Sequence, residues 1–466
     1  LSLAITMGAP SLIAQWNPDD RGFWEGQGRR VATRNLWLSI AALTLAFVVW
    51  MVWSVVVVHL PSVGFRYTTN QLFWLAALPA LSGATLRIVY AFAVPIFGGR
   101  RWTAISTASL LLPALGIGFA VQDPNTRYEV MVALALLCGL GGGNFASSMS
   151  NISFFYPSAQ KGYALGMNAG LGNLGVSLVQ IVVPLVISAG VLGVLGGAPQ
   201  GAADGTPLWL QNAGFVWVPF IAASALAAWF GMNDLAQAKA GFAEQAVIFR
   251  RRHNWLMCWL YLGTFGSFIG YSAGLPLLMK SQFPLVDALH VAWLGPLLGA
   301  LARPLGGWVA DRLGGARVTL WAFVAMVAGV LVVLQCLPGR DAAGGNAAGF
   351  LAGFLLLFAA AGVGNGSTFR MIPLIFLTER QRAADRQDAA AQEQALQEAN
   401  KEAAAVLGFA SAVGAYGGFF IPKSYGTSIS LTGGPEAALV AFIVFYLTCI
   451  AITWWNYSRR YAPLPC

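Results

Sequence analysis

"GATLRIVYAFAVPIFGGRRWT", residues 83–103, returns without a gap as "GALARPLGGWVADRLGGARVT", residues 299–319. Gly83 aligns with Gly299, Arg87 with Arg303, Gly98 with Gly314, Gly99 with Gly315 and Arg101 with Arg317. Each copy sets one arginine deep in an apolar run. Further on the match continues at wider offsets, Asn144 with Asn365 and Phe155 with Phe376. "GMNAGLGNLG" (166–175) then pairs with "GFASAVGAYG" (408–417), the extra length being taken up by a polar segment at 377–402. The chain is a tandem repeat of one unit.

Composition says what the unit is. Charged residues make up 10% of the chain and hydrophobic residues 57%, against about 25% charged in a soluble domain. Apolar runs of twenty or more residues recur, each able to cross a hydrocarbon core of about 30 Å as a helix. The pattern predicts an all-α membrane protein with twelve transmembrane helices, in two pseudo-symmetric six-helix bundles. The expected spans are 36–60, 69–97, 102–121, 128–155, 162–189, 208–231, 254–279, 286–312, 317–337, 346–376, 403–430 and 437–456. That gives an N-terminal segment 1–35, a first bundle 36–232, a linker 233–253, a second bundle 254–457 and a tail 458–466. The charged stretch 377–402 reads as helical or mobile at the surface. A soluble enzyme is excluded, and no cleavable leader is evident at the start of the sequence. Two bundles in the same orientation place a substrate site between them, near the bilayer midplane.

The five cysteines are scattered, with no CxxC pair or Cys/His cluster, so neither disulfides, a metal nor another cofactor is expected. The net charge of +9 bears on topology rather than on nucleic acid. With twelve spans both termini share one side, whose loops carry most of the 27 Lys and Arg residues. The other side has Arg66, Arg127, Lys280, Arg340 and Lys423, and the spans hold Arg87, Arg303 and Arg370 but no lysine. Positive loops stay inside, so both termini are expected in the cytoplasm of a bacterial inner membrane.

Arg87 and Arg303 lie about ten residues from that side, so at 1.5 Å per residue both sit about 15 Å deep. A charge there costs about 2.5–3.5 kcal/mol on insertion scales. All 18 acidic residues fall in loops or near span ends, Asp311, Glu129 and Asp287 coming closest, so neither arginine has an obvious protein counter-ion at its own depth. The simplest partner is an anion. A guanidinium is a planar fork that grips two oxygens at once and keeps its proton, which suits a small flat oxyanion. Asn168, Asn173 and Ser411 can donate to such a ligand or bond across helices, with a site role favoured for Asn173. Tyr261 and Phe265, four apart on one helical face, and Phe145 can sandwich a flat anion. Gly162, Gly166, Gly170, Gly414 and Gly418 read as close helix packing. Arg370 is expected to snorkel or cap, and Asp311, Arg312 and Arg317 to make a charged contact between helices.

"GWVADRLGGAR" (307–317) resembles the loop motif of the major facilitator superfamily, G-x-x-x-D-R-x-G-x-x-R; the first copy, "AVPIFGGRR", departs from it with Pro95 in the Asp position. "GYALGMNAGLGNLGVSLVQ" and "LGFASAVGAYGGFFIPKSYG" are similar to the two signature stretches of the nitrate/nitrite porters, and "NFASSMSNISFF", "YLGTFGSFIGYSAG" and "LRIVYAFAVPIFGGRRWTA" also fit. The likeness runs from "WNPDD" at 16 to the final span. It implies substrate arginines at Arg87 and Arg303, an aromatic clamp of Phe145, Tyr261 and Phe265, and a signature asparagine at Asn173. It implies nitrate and nitrite as substrates, a lipid bilayer as the setting and function as a monomer. The short N-terminal arm and single twelve-span unit look most like the exchange type. No Asp or Glu lies mid-span, and His59, His253 and His290 sit at span ends, so no titratable group is evident to carry a proton. Exchange is therefore the leading expectation, ahead of proton symport and of an anion channel.

Overall fold

The computed structural model describes residues 12–201, 205–236, 238, 246–339, 344–383 and 389–466. Arg340, counted above among the loop charges, lies outside them. Eleven helices are long and apolar enough to cross a membrane: α1 Arg21–His59, α2 Thr69–Tyr90, α3 Gly99–Ala120, α4 Tyr128–Phe155, α5 Ala159–Ile187, α6 Asn212–Gly231, α7 Arg252–Gln282, α9 Gly315–Cys336, α10 Ala347–Arg382, α11 Ala391–Thr432 and α12 Glu436–Ser458. The twelfth, α8 (Leu294–Leu313), is 20 residues long and carries Arg303, Asp311 and Arg312. Among the described residues there are thus twelve helices of spanning length, with ends that differ from the expected ones. The first helix starts at Arg21, inside the segment assigned to the N-terminal arm. The stretch 377–402 is mostly helical, α10 and α11 both running on past their apolar parts.

Local chemistry explains several of these ends. The Thr68 hydroxyl accepts from the Gln71 amide at 3.2 Å, and the Gln71 side chain accepts from the Thr68 amide at 2.8 Å, a reciprocal cap that starts α2. Proline stands inside α2 (Pro79), α5 (Pro184), α7 (Pro276), α8 (Pro304), α10 (Pro373) and α11 (Pro422), each removing one ladder hydrogen bond. α7 also contains a π-helical turn at Leu262–Gly266.

The repeat is visible in the turns. Gly98 has φ 88° and Gly314 φ 90°, positive-φ, extended conformations that favour glycine at both α2–α3 and α8–α9 corners. The corners are held differently. At the second, Asp311 pairs with Arg370 across to α10, the Arg370 side chain being 63% exposed, so its head meets a carboxylate of the neighbouring helix at the surface. At the first, where Pro95 replaces the aspartate, Asp234 from beyond α6 takes the role. Its carboxylate accepts from the Arg100 amide at 2.8 Å and from Arg100 Nε at 3.2 Å.

Helices α1, α2 and α5 of the first half pack on α7, α8 and α11 of the second. Toward the face away from the termini the seam is filled. Phe73 meets Tyr425 at 6.1 Å and Trp74 meets Phe419 at 5.7 Å between ring centroids. Gln180 donates to the Ser272 carbonyl at 2.8 Å. Lys423 reaches from α11 to α2, its Nζ 3.4 Å from Asn70 Oδ1 and 4.7 Å from the Trp74 ring centre. This corrects the expectation that no lysine lies within a span: Lys423 is part-buried inside α11. Toward the face of the termini some glycines are left open. Gly162, Gly166, Gly170 and Gly408 have no described atom within 4 Å of where a Cβ would sit. Close packing accounts for Gly414 and Gly418, whose Cβ positions meet Tyr261 and Ile269, but not for the three glycines of α5.

Candidate functional site

Arg87 is wholly buried. Its Nε donates to the Gly142 carbonyl and its Nη1 to the Ser411 carbonyl, both at 2.9 Å. One guanidinium therefore ties the two halves together. Its Nη2 is buried without a hydrogen-bond partner. Around it stand three ring faces: Phe145 at 4.6 Å, Trp50 at 5.0 Å and Phe265 at 5.1 Å from the guanidinium carbon. The charge sits in an aromatic box, and among the described residues no carboxylate lies within ion-pair distance of it.

The fold makes the box by removing side chains behind it. A Cβ on Gly83 would fall 2.6 Å from Trp50 Nε1, and one on Gly142 2.7 Å from the same indole. The glycines let α2 and α4 close on Trp50, whose Nε1 donates to the Pro79 carbonyl at 2.7 Å. That bond holds the ring face toward Arg87. The ring centroids of Phe145 and Phe265 are 6.3 Å apart with an interplanar angle of 27°. Tyr261 is 5.5 Å from Phe265, within electrostatic range of Arg87. The π-helical turn of α7 carries Phe265 between them, in keeping with the frequent use of such turns at functional positions.

Arg303 occupies the pseudo-symmetric place on α8. It is 8% exposed, its Nη1 is buried without a partner, and Phe369 lies 5.3 Å from its guanidinium carbon. It too is within electrostatic range of Arg87, and no described carboxylate pairs with it.

The remaining candidates divide. Asn173 is buried on α5 with Oδ1 lacking a partner. Ser411 meets Arg87 through its backbone carbonyl, while its hydroxyl donates to the Gly408 carbonyl at 2.8 Å. Asn168 is engaged within the first half: its Nδ2 donates to Ser148 Oγ at 2.8 Å, and that hydroxyl bonds Ser39 at 2.8 Å. The bond across helices is formed, while Asn168 Oδ1 is buried without a partner. Trp50 and the Gly142 carbonyl were not singled out from the sequence. One tryptophan among 17 carries no distinguishing signal, and a backbone acceptor carries none at all.

Two pseudo-symmetric six-helix halves, each with a buried arginine that no described carboxylate neutralises, fit the class of a major facilitator carrier. The Major Facilitator Superfamily profile matches residues 38–422. Over 453 residues the chain is 51% identical to the "Nitrate/nitrite transporter NarU" of Escherichia coli K12, covering 96% of each. It is 41% identical to the "Probable nitrate/nitrite antiporter NarK2" of Thermus thermophilus, covering 97% of this chain and 98% of that one. Among solved structures, a D-xylose–proton symporter superposes with a TM-score of 0.61 at 14% identity, over 93% of this chain and 98% of that one. A bacterial homolog of the human lysosomal transporter Spinster gives 0.60 at 14% identity, over 91% and 96%; both show the fold alone. The chain belongs to the NarK-type nitrate/nitrite porter family of the major facilitator superfamily, and it is a multi-pass membrane transporter.

Proposed function

We propose that this chain exchanges nitrate for nitrite across the bacterial inner membrane by alternating access, with both termini in the cytoplasm and the anion held between Arg87 and Arg303. The observation that carries the reading is the pair of buried guanidinium N–H groups, Arg87 Nη2 and Arg303 Nη1, left without protein acceptors. A small oxyanion supplies acceptors to both. Asn173 adds a hydrogen bond, and Phe145 and Phe265, with Tyr261 beside them, wall the anion above and below. The Lys and Arg excess on the side of the termini supports the cytoplasmic assignment, and the names of the relatives above support the two anions.

Exchange follows from electrostatics. An empty site leaves two like charges facing each other in a low dielectric, so the halves re-close only over an anion. Carrying one monoanion each way moves no net charge. The test is counterflow in proteoliposomes loaded with nitrite, measuring entry of labelled nitrate. Internal nitrite should accelerate entry, and an imposed proton gradient without internal nitrite should not drive accumulation. Accumulation under the proton gradient alone would replace exchange by symport, and conduction that ignores the internal anion would replace it by a channel.

A further inference from the structure

Among the described residues, Lys423 is a seam lysine that the transport reading leaves unused. It lies twelve residues beyond Ser411 on α11, about 18 Å farther from the face of the termini, on the same helix that supplies the Arg87 contact. Its Nζ donates to Thr427 Oγ1 at 2.6 Å on its own helix and to Asn70 Oδ1 at 3.4 Å on α2. The Trp74 ring lies beneath it at 4.7 Å. Every one of these partners is neutral, and among the described residues no carboxylate lies within ion-pair distance. A lysine inside a spanning helix with no counter-ion has the same anomaly as Arg87 and Arg303, moved to the outer mouth.

We propose that Lys423 is an outer landing site for the transported anion, covered by Asn70 and Trp74 when the outer seam is shut and opened to the outer solution when α2 and α11 part. The inference rests on the anion-transport reading and adds a second, shallower site to it. The chemistry separates the two sites. An ammonium is a strongly hydrated point charge on a flexible stem, suited to gathering an anion and releasing it inward. The guanidinium forks at the centre are suited to holding one. The outward mouth would then carry a single positive charge along the path to Arg87 and raise the local anion concentration, as like-signed clefts do. The same contacts act as a tie across the shut seam, so one side chain closes the mouth in one state and recruits through it in the other.

The two roles predict opposite signs. Losing only a tie would populate the outward state, and a more populated competent state binds with a lower apparent constant; the half-saturating outer nitrate concentration would fall. Losing a landing charge raises it. The experiment is nitrate/nitrite exchange in proteoliposomes of fixed carrier orientation, comparing the unmodified protein, Lys423→Gln and Lys423→Arg. Glutamine retains hydrogen bonding to Thr427 and Asn70 while removing the charge. We expect Lys423→Gln to raise the outer half-saturating nitrate concentration about threefold or more and to flatten its dependence on ionic strength. The inner-face value should stay within about twofold, and Lys423→Arg should restore both readouts, charge being the shared property. An unchanged or lowered outer value, or an equal rise on both faces, would overturn the proposal. A second arm needs no transport. In the purified unmodified protein, a water-soluble amine-acylating reagent is followed at Lys423 by peptide mass analysis. Nitrate should slow the modification, and labelling indifferent to nitrate would overturn the landing site. Absence of exchange by the unmodified protein, with nitrate still protecting Lys423, would sink the transport reading and leave the site standing.

Discussion

Arg87 makes two directional bonds at once, Nε to the Gly142 carbonyl and Nη1 to the Ser411 carbonyl, and still has Nη2 free for a ligand. Only a guanidinium can do all three. Arg87→Lys keeps the charge and loses the fork, and so does Arg303→Lys; counterflow should fall by about tenfold or more in each at normal expression. Uptake near the unmodified level in either variant would refute the bidentate argument. The walls set a second limit. Phe145 and Phe265 lie at a shallow 27° to each other, so under the proposed function their faces favour a planar ion over a tetrahedral one. Sulfate should therefore compete far less than nitrite for labelled nitrate entry, and equal competition would remove the ring faces from the explanation. The sequence made these residues legible for a physical reason. A mid-span arginine is so costly that its presence needs a cause, whereas Trp50 and Lys423 become meaningful only through partners 37 and 353 positions away.

At the scale of the helices, the glycines of α5 and the charges at the α10–α11 hairpin separate packing from movement. Gly172 and Gly175 press on Leu43 and the Thr44 carbonyl, so α5 is fixed to α1 there. Gly162, Gly166 and Gly170 face open space. A side chain at Gly166 meets nothing in this state, but under the proposed rocking α5 must approach the second half there. Gly166→Leu should not lower stability, leucine being the better helix former, yet abolish exchange. A parallel loss of thermal stability would show that the glycine packs after all. The hairpin behaves oppositely. Glu402 is 6% exposed and accepts from Arg251 at 2.9 Å and Arg380 at 2.6 Å. Glu402→Ala removes the acceptor the two arginines share, leaving Arg380 its pair with Glu398 and Arg251 a longer one with Glu379, and should destabilise the second half by about 1 kcal/mol, less than for a fully buried pair, read as a lower unfolding midpoint in detergent. Periodicity showed where apolar helix lies, but it could not show that α10 and α11 run on past it: their extensions are polar, and what anchors them is an ion-pair cluster drawn from separate parts of the chain. The same limit hid Asp234, which replaces the aspartate missing at Pro95 from more than a hundred residues away.

For the molecule as a whole, the internal repeat told more than any single span. Matching Arg87 with Arg303 and Gly98 with Gly314 fixes two like halves and points to a site between them, and both glycine corners adopt the same positive-φ backbone. What a repeat cannot tell is which side of the seam is shut, because two identical halves pivot equally well either way; that choice is made by unlike residues, Phe73 against Tyr425, Trp74 against Phe419 and Lys423 against Asn70. If transport is by rocking, this seam must open once in every cycle, and a covalent tie across it must stop the cycle. Asn70 and Thr427 are suited to the test because the side chains of both reach one atom, Lys423 Nζ, from opposite halves. A protein with Asn70→Cys and Thr427→Cys should be bridged by a short thiol-specific cross-linker. Cys138, Cys258 and Cys449 are buried, whereas Cys336 and Cys466 are only partly so, and those two are replaced first to keep the background silent. Cross-linking should abolish nitrate/nitrite counterflow, and a reducible linker should allow its recovery on cleavage. Each single-cysteine protein treated in the same way should keep its activity. Exchange that persists through a complete cross-link would mean that the anion passes without the outer seam parting, and the alternating-access description of this chain would have to be given up.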